Sequence, residues 1–247
     1  TVSVEHARDI LSGWQHTSSA TKAARKSITL VKDENDNIPI HVGASKKMSH
    51  ILLATSEGML SFSSPFRSAV SRLHGNVDSQ FLYQPLSETQ ISEIVAESDS
   101  SDHILVSLLI RVAEFLGTFT IDSTHRELIT KLQETGKPVV VVSFGSPYVS
   151  DVDEIGSYLA GYGYGSISMR AMADALFGAT SITGTLPVDL SPSLPQGHGV
   201  ERRFGEPLPM SSEKIDFSAA RSLLEKALTD SVFPGASTVV LKNGKIV

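Results

Sequence analysis

The chain has 247 residues, of which 40% are hydrophobic and 19% charged, with a formal net charge of −6. That balance is ordinary for a globular domain and runs against a phosphate-backbone partner such as nucleic acid, which needs a basic face. The absence of cysteine excludes disulfides, thiolate nucleophiles and cysteine-held metals, no apolar run approaches the roughly 20 residues of a membrane span, and the opening TVSVEHARD has no signal-peptide pattern.

In chain order, Val4 to Trp14 reads as a short amphipathic helix, His16 to Ala20 as a polar break, and Thr21 to Lys26 as one or two further helical turns. Ser27 to Val31 reads as a strand, Lys32 to Asn37 as a charged turn, and Pro39 ends whatever pairs there. After Gly43 to Ser49 an alternation begins. Ile51 to Thr55 is a continuous apolar run, the mark of a strand covered on both faces. Pro65 to Leu73 places Phe66, Ala69, Val70 and Leu73 at helical spacing. Phe81 to Tyr83 is a short strand, Ser87 caps a helix to Glu97, and His103 to Ile110 is a buried strand.

The Thr124-to-Glu127 stretch fits a capping box before Leu128, Ile129 and Leu132, and Gly136 with Pro138 beyond it closes that helix. Val139 to Ser143 and, less strongly, Ile155 to Ala160 follow as strands. Ser168 to Phe177 is a helix, and Thr185 to Leu190, with Pro187 inside it, is an edge strand. The alternation predicts an α/β fold: a mostly parallel sheet with helices on both faces, a Rossmann-like three-layer α/β sandwich. Ser191 to Pro209 lacks periodicity and reads as a linker. A helix from about Phe217 to Thr229 precedes an apolar strand, the turn pair Asn243-Gly244, and a second strand just begun. A lone hairpin is marginal in water, so the expectation is a chain cut inside a further domain.

Three stretches carry a resemblance. ARKSITLVKDENDNIPI (24–40), PVVVVSFGSPY (138–148) and YLAGYGYGSISMRAMADALFGATSITGTLPVDLSP (158–192) are similar, in order and spacing, to the C-terminal α/β sandwich domain of glycoside hydrolase family 3. In that family the domain follows a (β/α)8 barrel, so residues 1–23 become the segment leading out of a missing barrel, 24–192 the sandwich, and 193–214 a linker. Residues 215–247 resemble the opening of a serine β-lactamase-like domain, where FPGA precedes a hairpin. The resemblance implies a bacterial fusion, periplasmic or extracellular. Its partners are the barrel and the β-lactamase-like domain of the same polypeptide, and carbohydrate reached through the parent.

A retaining glycosidase needs two carboxyl groups flanking the scissile bond. The resemblance places the nucleophilic Asp on the barrel and, in the β-glucosidase branch, an acid/base Glu on a long sandwich loop after the strand His103 to Ile110. Here only RVAEFLGTFTID (111–122) fills that interval, and Glu114 is its one acid before Asp122. The short loop matches the β-N-acetylhexosaminidase branch, in which the sandwich supplies no acid/base. The reading is therefore a non-catalytic domain of an enzyme that removes terminal N-acetylglucosamine from cell-wall or chitin-derived sugars. Glu114 is the one candidate catalytic residue, set against a solvated carboxylate or one paired with Arg111.

Other patterns have simpler readings. Asp122 to His125 juxtaposes an acid and a histidine, and a helix start explains both. Gly161 to Gly165 interleaves glycines with Tyr162 and Tyr164 between a strand and a helix, but Ser166 stands at the third small place of a dinucleotide fingerprint. The alternative reading, an independent small-ligand or nucleotide-binding domain, rests on that loop; otherwise the tyrosines line a sugar subsite or a domain interface. None of the eight histidines has metal-ligand spacing, so no metal and no cofactor are expected. Ser19–Lys22 and Ser211–Lys214 match S-x-x-K by chance, and Arg202-Arg203 reads as a solvated pair.

Overall fold

A computed structural model of the chain describes residues 3–4, 14–41, 43, 45–111, 120–204, 212, 215–233, 235–236, 238–242 and 245–247. It divides into two compact units, Thr1–Phe204 and Gly205–Val247.

The first unit holds a six-stranded sheet. In chain order its strands are β1 (Thr29–Asp33), β2 (Met48–Ala54), β3 (Val77–Leu82), β4 (His103–Ile110), β5 (Val139–Gly145) and β6 (Ser157–Ala160). Their spatial order is β1-β6-β5-β4-β2-β3. All pairings are parallel except that of β1 with β6. Because β3 lies outside β2 while β4 lies on its other side, the winding reverses between β2 and β4. In open α/β sheets such a reversal leaves a crevice at the carboxyl ends of the strands.

Among the described residues five longer helices accompany the sheet, α1 (Trp14–Ser27), α2 (Ser64–Leu73), α3 (Glu88–Asp99), α4 (Ser123–Glu134) and α5 (Ser166–Leu176), besides a single helical turn at Glu57–Leu60. Helix α5 packs against both α1 and α2, and α3 packs against α4. The pleat explains why the central strands β2, β4 and β5 read as mostly apolar runs: alternate residues enter two different cores. Leu52, Leu105, Val142 and Leu159 join Phe66, Met169 and Met172 on one face. Ile51, Val106, Val141 and Tyr158 join Ile91, Ile94, Leu128 and Leu132 on the other.

The local signals mostly act as their chemistry predicts. Ser87 and Gln90 form a reciprocal capping box on α3, and Gly136 takes the left-handed position after α4 (φ 73°). At the start of α4 the cap is Asp122, not Thr124. The Asp122 carboxylate accepts from the Thr124 amide at 2.8 Å, and the Thr124 hydroxyl also donates to Asp122 while accepting from the Leu86 amide. Helix α1 runs straight through the polar stretch 16–20. That stretch contains neither Gly nor Pro, and the Thr21 hydroxyl donates back to the Thr17 carbonyl inside the helix. The helix expected over Val4 to Trp14 lies almost wholly outside the described residues.

Residues 185–190 do not form the expected edge strand. Residues 182–204 instead fold into a two-limbed strap along the free side of β1. The Gly184 and Val200 amides donate to the Ile28 and Leu30 carbonyls (3.2 and 2.7 Å), and the limbs join through Ile182 and Arg202. The strap covers a sheet edge that would otherwise be open to mispairing. Arg202 is not solvated: it pairs with Asp33 (3.1 Å) and Asp36 (2.8 Å), while Arg203 pairs with Glu201 (2.6 Å).

One buried group makes stability pH-dependent. His50, on β2, is 1% exposed, shares a hydrogen bond with Ser107 Oγ at 2.8 Å, and lies edge-on to Phe66; its Nδ1 has no hydrogen-bond partner. Burial, reinforced by the nearby Arg67 charge, pushes its pKa from 6.5 down to about 4. As pH falls below 6.5 the unfolded chain takes up this proton first, so stability is lost down to about pH 4 and the loss is complete below it. The span of about 2.5 units corresponds to about 3 kcal/mol. Urea melts of wild type and His50→Gln between pH 7.5 and 4 should show a markedly shallower decline in the variant; parallel declines would refute the assignment.

The second unit contains α6 (Ser218–Thr229) and a hairpin of β7 (Leu241–Lys242) with β8 (Lys245–Ile246), paired antiparallel as the turn signal predicts.

Candidate functional site

The carboxyl edge of the sheet is assembled at the reversal between β2 and β4. Thr55, just past β2, links the two strand ends: its amide donates to the Leu109 carbonyl at 3.1 Å, and its hydroxyl accepts from the Arg111 amide at 3.2 Å. Beside them Ser146, past β5, donates its amide to the Ile110 carbonyl at 3.3 Å. The crevice floor is thus made of backbone and hydroxyl groups from three adjacent strands.

Thr120, the next described residue after Arg111, is held in place: its hydroxyl accepts from the Ser150 amide at 3.1 Å. Arg126, 5% exposed on α4, holds the same corner by donating to the Ser150 and Asp151 carbonyls (2.9 and 3.1 Å) and pairing with Glu154 (3.0 Å). Glu114 lies outside the described residues.

An aromatic wall rises next to the crevice. Phe62, between β2 and α2, meets Tyr164, between β6 and α5, edge to face with ring centroids 5.5 Å apart. Both rings are substantially exposed, at 47% and 37%, as is Tyr148 past β5. Aromatic faces of this kind bury large area at low conformational cost. Tyr162 has a different role. It is half-buried, its backbone is left-handed (φ 57°), and its hydroxyl donates to Thr29 Oγ1 on β1 at 2.8 Å. Of the two tyrosines in the glycine loop, only Tyr164 faces outward.

The loop glycines have packing reasons. A Cβ on Gly161 would lie 2.9 Å from Met172 Cε and 3.2 Å from the Ser143 carbonyl, and one on Gly163 would meet Ser168 Oγ at 2.9 Å. The loop therefore lies tightly on α5 and β5.

Asp122 and His125 do not act together. Asp122 caps α4, which holds its carboxyl below the usual range through the Thr124 hydrogen bonds. His125 Nε2 donates to the Gln84 carbonyl at 2.9 Å, and burial lowers its pKa. Among the described residues no group of three His, Cys, Asp or Glu side chains is placed to hold a metal.

Residues 2–218 match the family model described as the glycosyl hydrolase family 3 C-terminal domain. The chain belongs to this family. The sandwich is 26% identical over 201 residues to a periplasmic β-glucosidase of Salmonella typhimurium, covering 76% of this chain and 24% of that protein. Among solved structures, the family 3 sandwich resembles a Listeria innocua β-glucosidase (TM-score 0.63, 19% identity, 76% of this chain and 28% of that one). It also resembles a fungal multi-domain β-N-acetylglucosaminidase of the same family (TM-score 0.62, 12% identity, 94% of this chain and 24% of that one). The chain spans about a quarter of the length of these relatives. As a C-terminal family 3 domain it implies other domains in the same polypeptide.

The aromatic wall was not legible in sequence. Phe62 and Tyr164 are about a hundred residues apart, and only the paired loops after β2 and β6 bring their rings together.

Proposed function

We propose that this domain is a non-catalytic wall of a family 3 glycosidase whose bond-breaking carboxyl groups stand on a preceding barrel. The observation that carries the reading is the carboxyl edge. Its described surface offers backbone groups, hydroxyls and exposed aromatic rings; of the carboxylates near it, Asp122 caps α4, Glu154 pairs with Arg126, and Glu57 is exposed after β2. A retaining mechanism needs two carboxyl groups about 5 Å apart.

The short interval from Arg111 to Asp122 favours a parent that removes terminal β-N-acetylglucosamine from cell-wall or chitin-derived sugars. The resemblance of the fold to a fungal β-N-acetylglucosaminidase is consistent with this. The identity to a β-glucosidase supports a second reading, in which Glu114 is the acid/base of a β-glucoside hydrolase. The test is turnover of aryl β-N-acetylglucosaminide and aryl β-glucoside by the parent and by its Glu114→Gln variant. The first reading expects preference for the former and unchanged kcat in the variant. A loss of about 10²-fold or more in kcat on the glucoside would establish the second. The 247-residue chain by itself should turn over neither substrate.

Residues 215–247 we assign to the start of a β-lactamase-like domain, on their helix-then-hairpin order and the FPGA stretch. The parent is then a bacterial periplasmic or extracellular fusion. The full reading frame on both sides of the chain tests this.

A further inference from the structure

The two edges of the sheet differ. The strap hydrogen-bonds along β1, whereas among the described residues no segment pairs with the outer side of β3. Open edges are commonly guarded by a proline, a bulge or a lysine on the strand. Strand β3 (VDSQFL) has none of these: its register with β2 runs unbroken from Val77 to Leu82, and it contains neither proline nor lysine. Its one charge, Asp78, is offset by Lys47 at 3.5 Å. The edge also carries exposed apolar groups. Phe81 is 39% exposed, with the Arg67 guanidinium 4.6 Å from its ring centroid, and Leu73, at the end of α2 that leads into β3, is equally exposed.

We infer that β3 is a dimer edge, at which a second copy of this chain adds its own β3 antiparallel across a twofold axis perpendicular to the sheet. The strand's own sequence selects this partner. The pleat puts Val77, Ser79 and Phe81 on one face of the sheet and Asp78, Gln80 and Leu82 on the other. Residues directly opposite in such a pair share a face, so the axis passes through a residue rather than between two. With Ser79 on the axis, Val77 meets the second copy's Phe81, Asp78 meets its Gln80, and Ser79 meets its Ser79. Each pair joins apolar to apolar or polar to polar, and no like charges face each other. With Gln80 on the axis, Asp78 would meet Leu82 and Ser79 would meet Phe81. The matched register also brings the second copy's Phe81 to the end of β3 where Leu73 is exposed. A strand from an unrelated partner would require no such self-complementarity. Because the two β3 strands run in opposite directions, the two carboxyl edges point away from each other, and pairing leaves both open. The inference holds whichever sugar the parent cleaves.

Sedimentation of the 247-residue chain at about 100 μM should give a dimer. Phe81→Lys, which places a charge opposite Val77 at an exposed position, should weaken that dimer about tenfold or more. The chain has no cysteine, so single introduced cysteines report the register. Ser79→Cys should form a disulfide-linked dimer on oxidation, since position 79 faces itself with Cα atoms about 5 Å apart. Phe81→Cys should give at least about tenfold less, because its two copies stand as far apart along the paired strands as 77 from 81, about 13 Å. A monomer at that concentration, a dimer unaffected by Phe81→Lys, or equal cross-linking at the two positions would overturn the inference.

Discussion

Replacing Gly145 by alanine is expected to cost about 4 kcal/mol or more, enough to unfold a domain of ordinary stability. Two effects add. The residue sits at φ 89°, where an L side chain is strained by about 1–2 kcal/mol. A Cβ there would also lie 2.1 Å from the Ile110 carbonyl oxygen and 3.5 Å from Tyr164 Cδ1. That carbonyl cannot yield, because Ile110 is paired with Gly145 in the β4–β5 ladder and also accepts the Ser146 amide. The control is Gly136→Ala. Gly136 is left-handed too (φ 73°), but no atom lies within 4 Å of its missing Cβ, so only the conformational strain of about 1 kcal/mol applies. Denaturant titration of both variants separates the contributions. Equal losses would mean that the close approach at the carboxyl edge contributes nothing. Because Gly145 lies directly under Tyr164, the same substitution should disturb the aromatic wall before it disturbs the opposite core.

Removing the Asp33 carboxylate is the second large effect. The side chain is fully buried at the end of β1 and is a shared acceptor. The amides of Asn37 and Ile38 donate to it at 2.9 and 3.3 Å, the Ser157 hydroxyl at 2.9 Å, and Arg202 Nη2 at 3.1 Å. One side chain thus fixes the turn after β1, the first residue of β6 and the strap over the sheet edge. Asp33→Ala leaves those donors without their acceptor and should cost about 3–5 kcal/mol. Arg202 keeps Asp36 as a partner, which places the value toward the lower end. A double-mutant cycle with Arg202→Met reads the coupling directly. A loss below about 1 kcal/mol for Asp33→Ala would show that the donors find water instead.

These two sites lie at opposite ends of the same sheet and act in different ways. At Gly145 the constraint is steric, because two strand ends approach where no side chain fits. At Asp33 it is polar, because a buried charge is useful only while all its donors are present. Both hold loops in place rather than fill the core. In a domain read as a wall, loop position is what function requires.

Much of the fold follows from residues close together in sequence. The runs 51–55, 103–110 and 139–143 are apolar without alternation, and each became a central strand feeding two cores. Ser87 with Gln90, and Gly136, set helix ends through contacts three residues away or less. The family resemblance likewise rests on continuous stretches, 24–40, 138–148 and 158–192, and the position of Glu114 on the interval after β4.

What the sequence by itself determined, then, was whatever depends on near neighbours: the alternation of strands and helices, the parallel sheet, and the family. Only the tertiary structure decided the rest, because the deciding partners are far away along the chain. The polar stretch 16–20 stays helical within a helix packed on α5. Asp122 rather than Thr124 caps α4, since Thr124 is also engaged by Leu86. Residues 182–204, where an edge strand and a linker were expected, take their order instead from the free edge of β1. Tyr162 turns inward to Thr29 while Tyr164 turns outward to Phe62, a distinction that two tyrosines in one glycine loop do not encode. Hydrophobic pattern and capping are summed over neighbours, but a hydrogen bond or ring contact between distant segments exists only once the sheet has set their register.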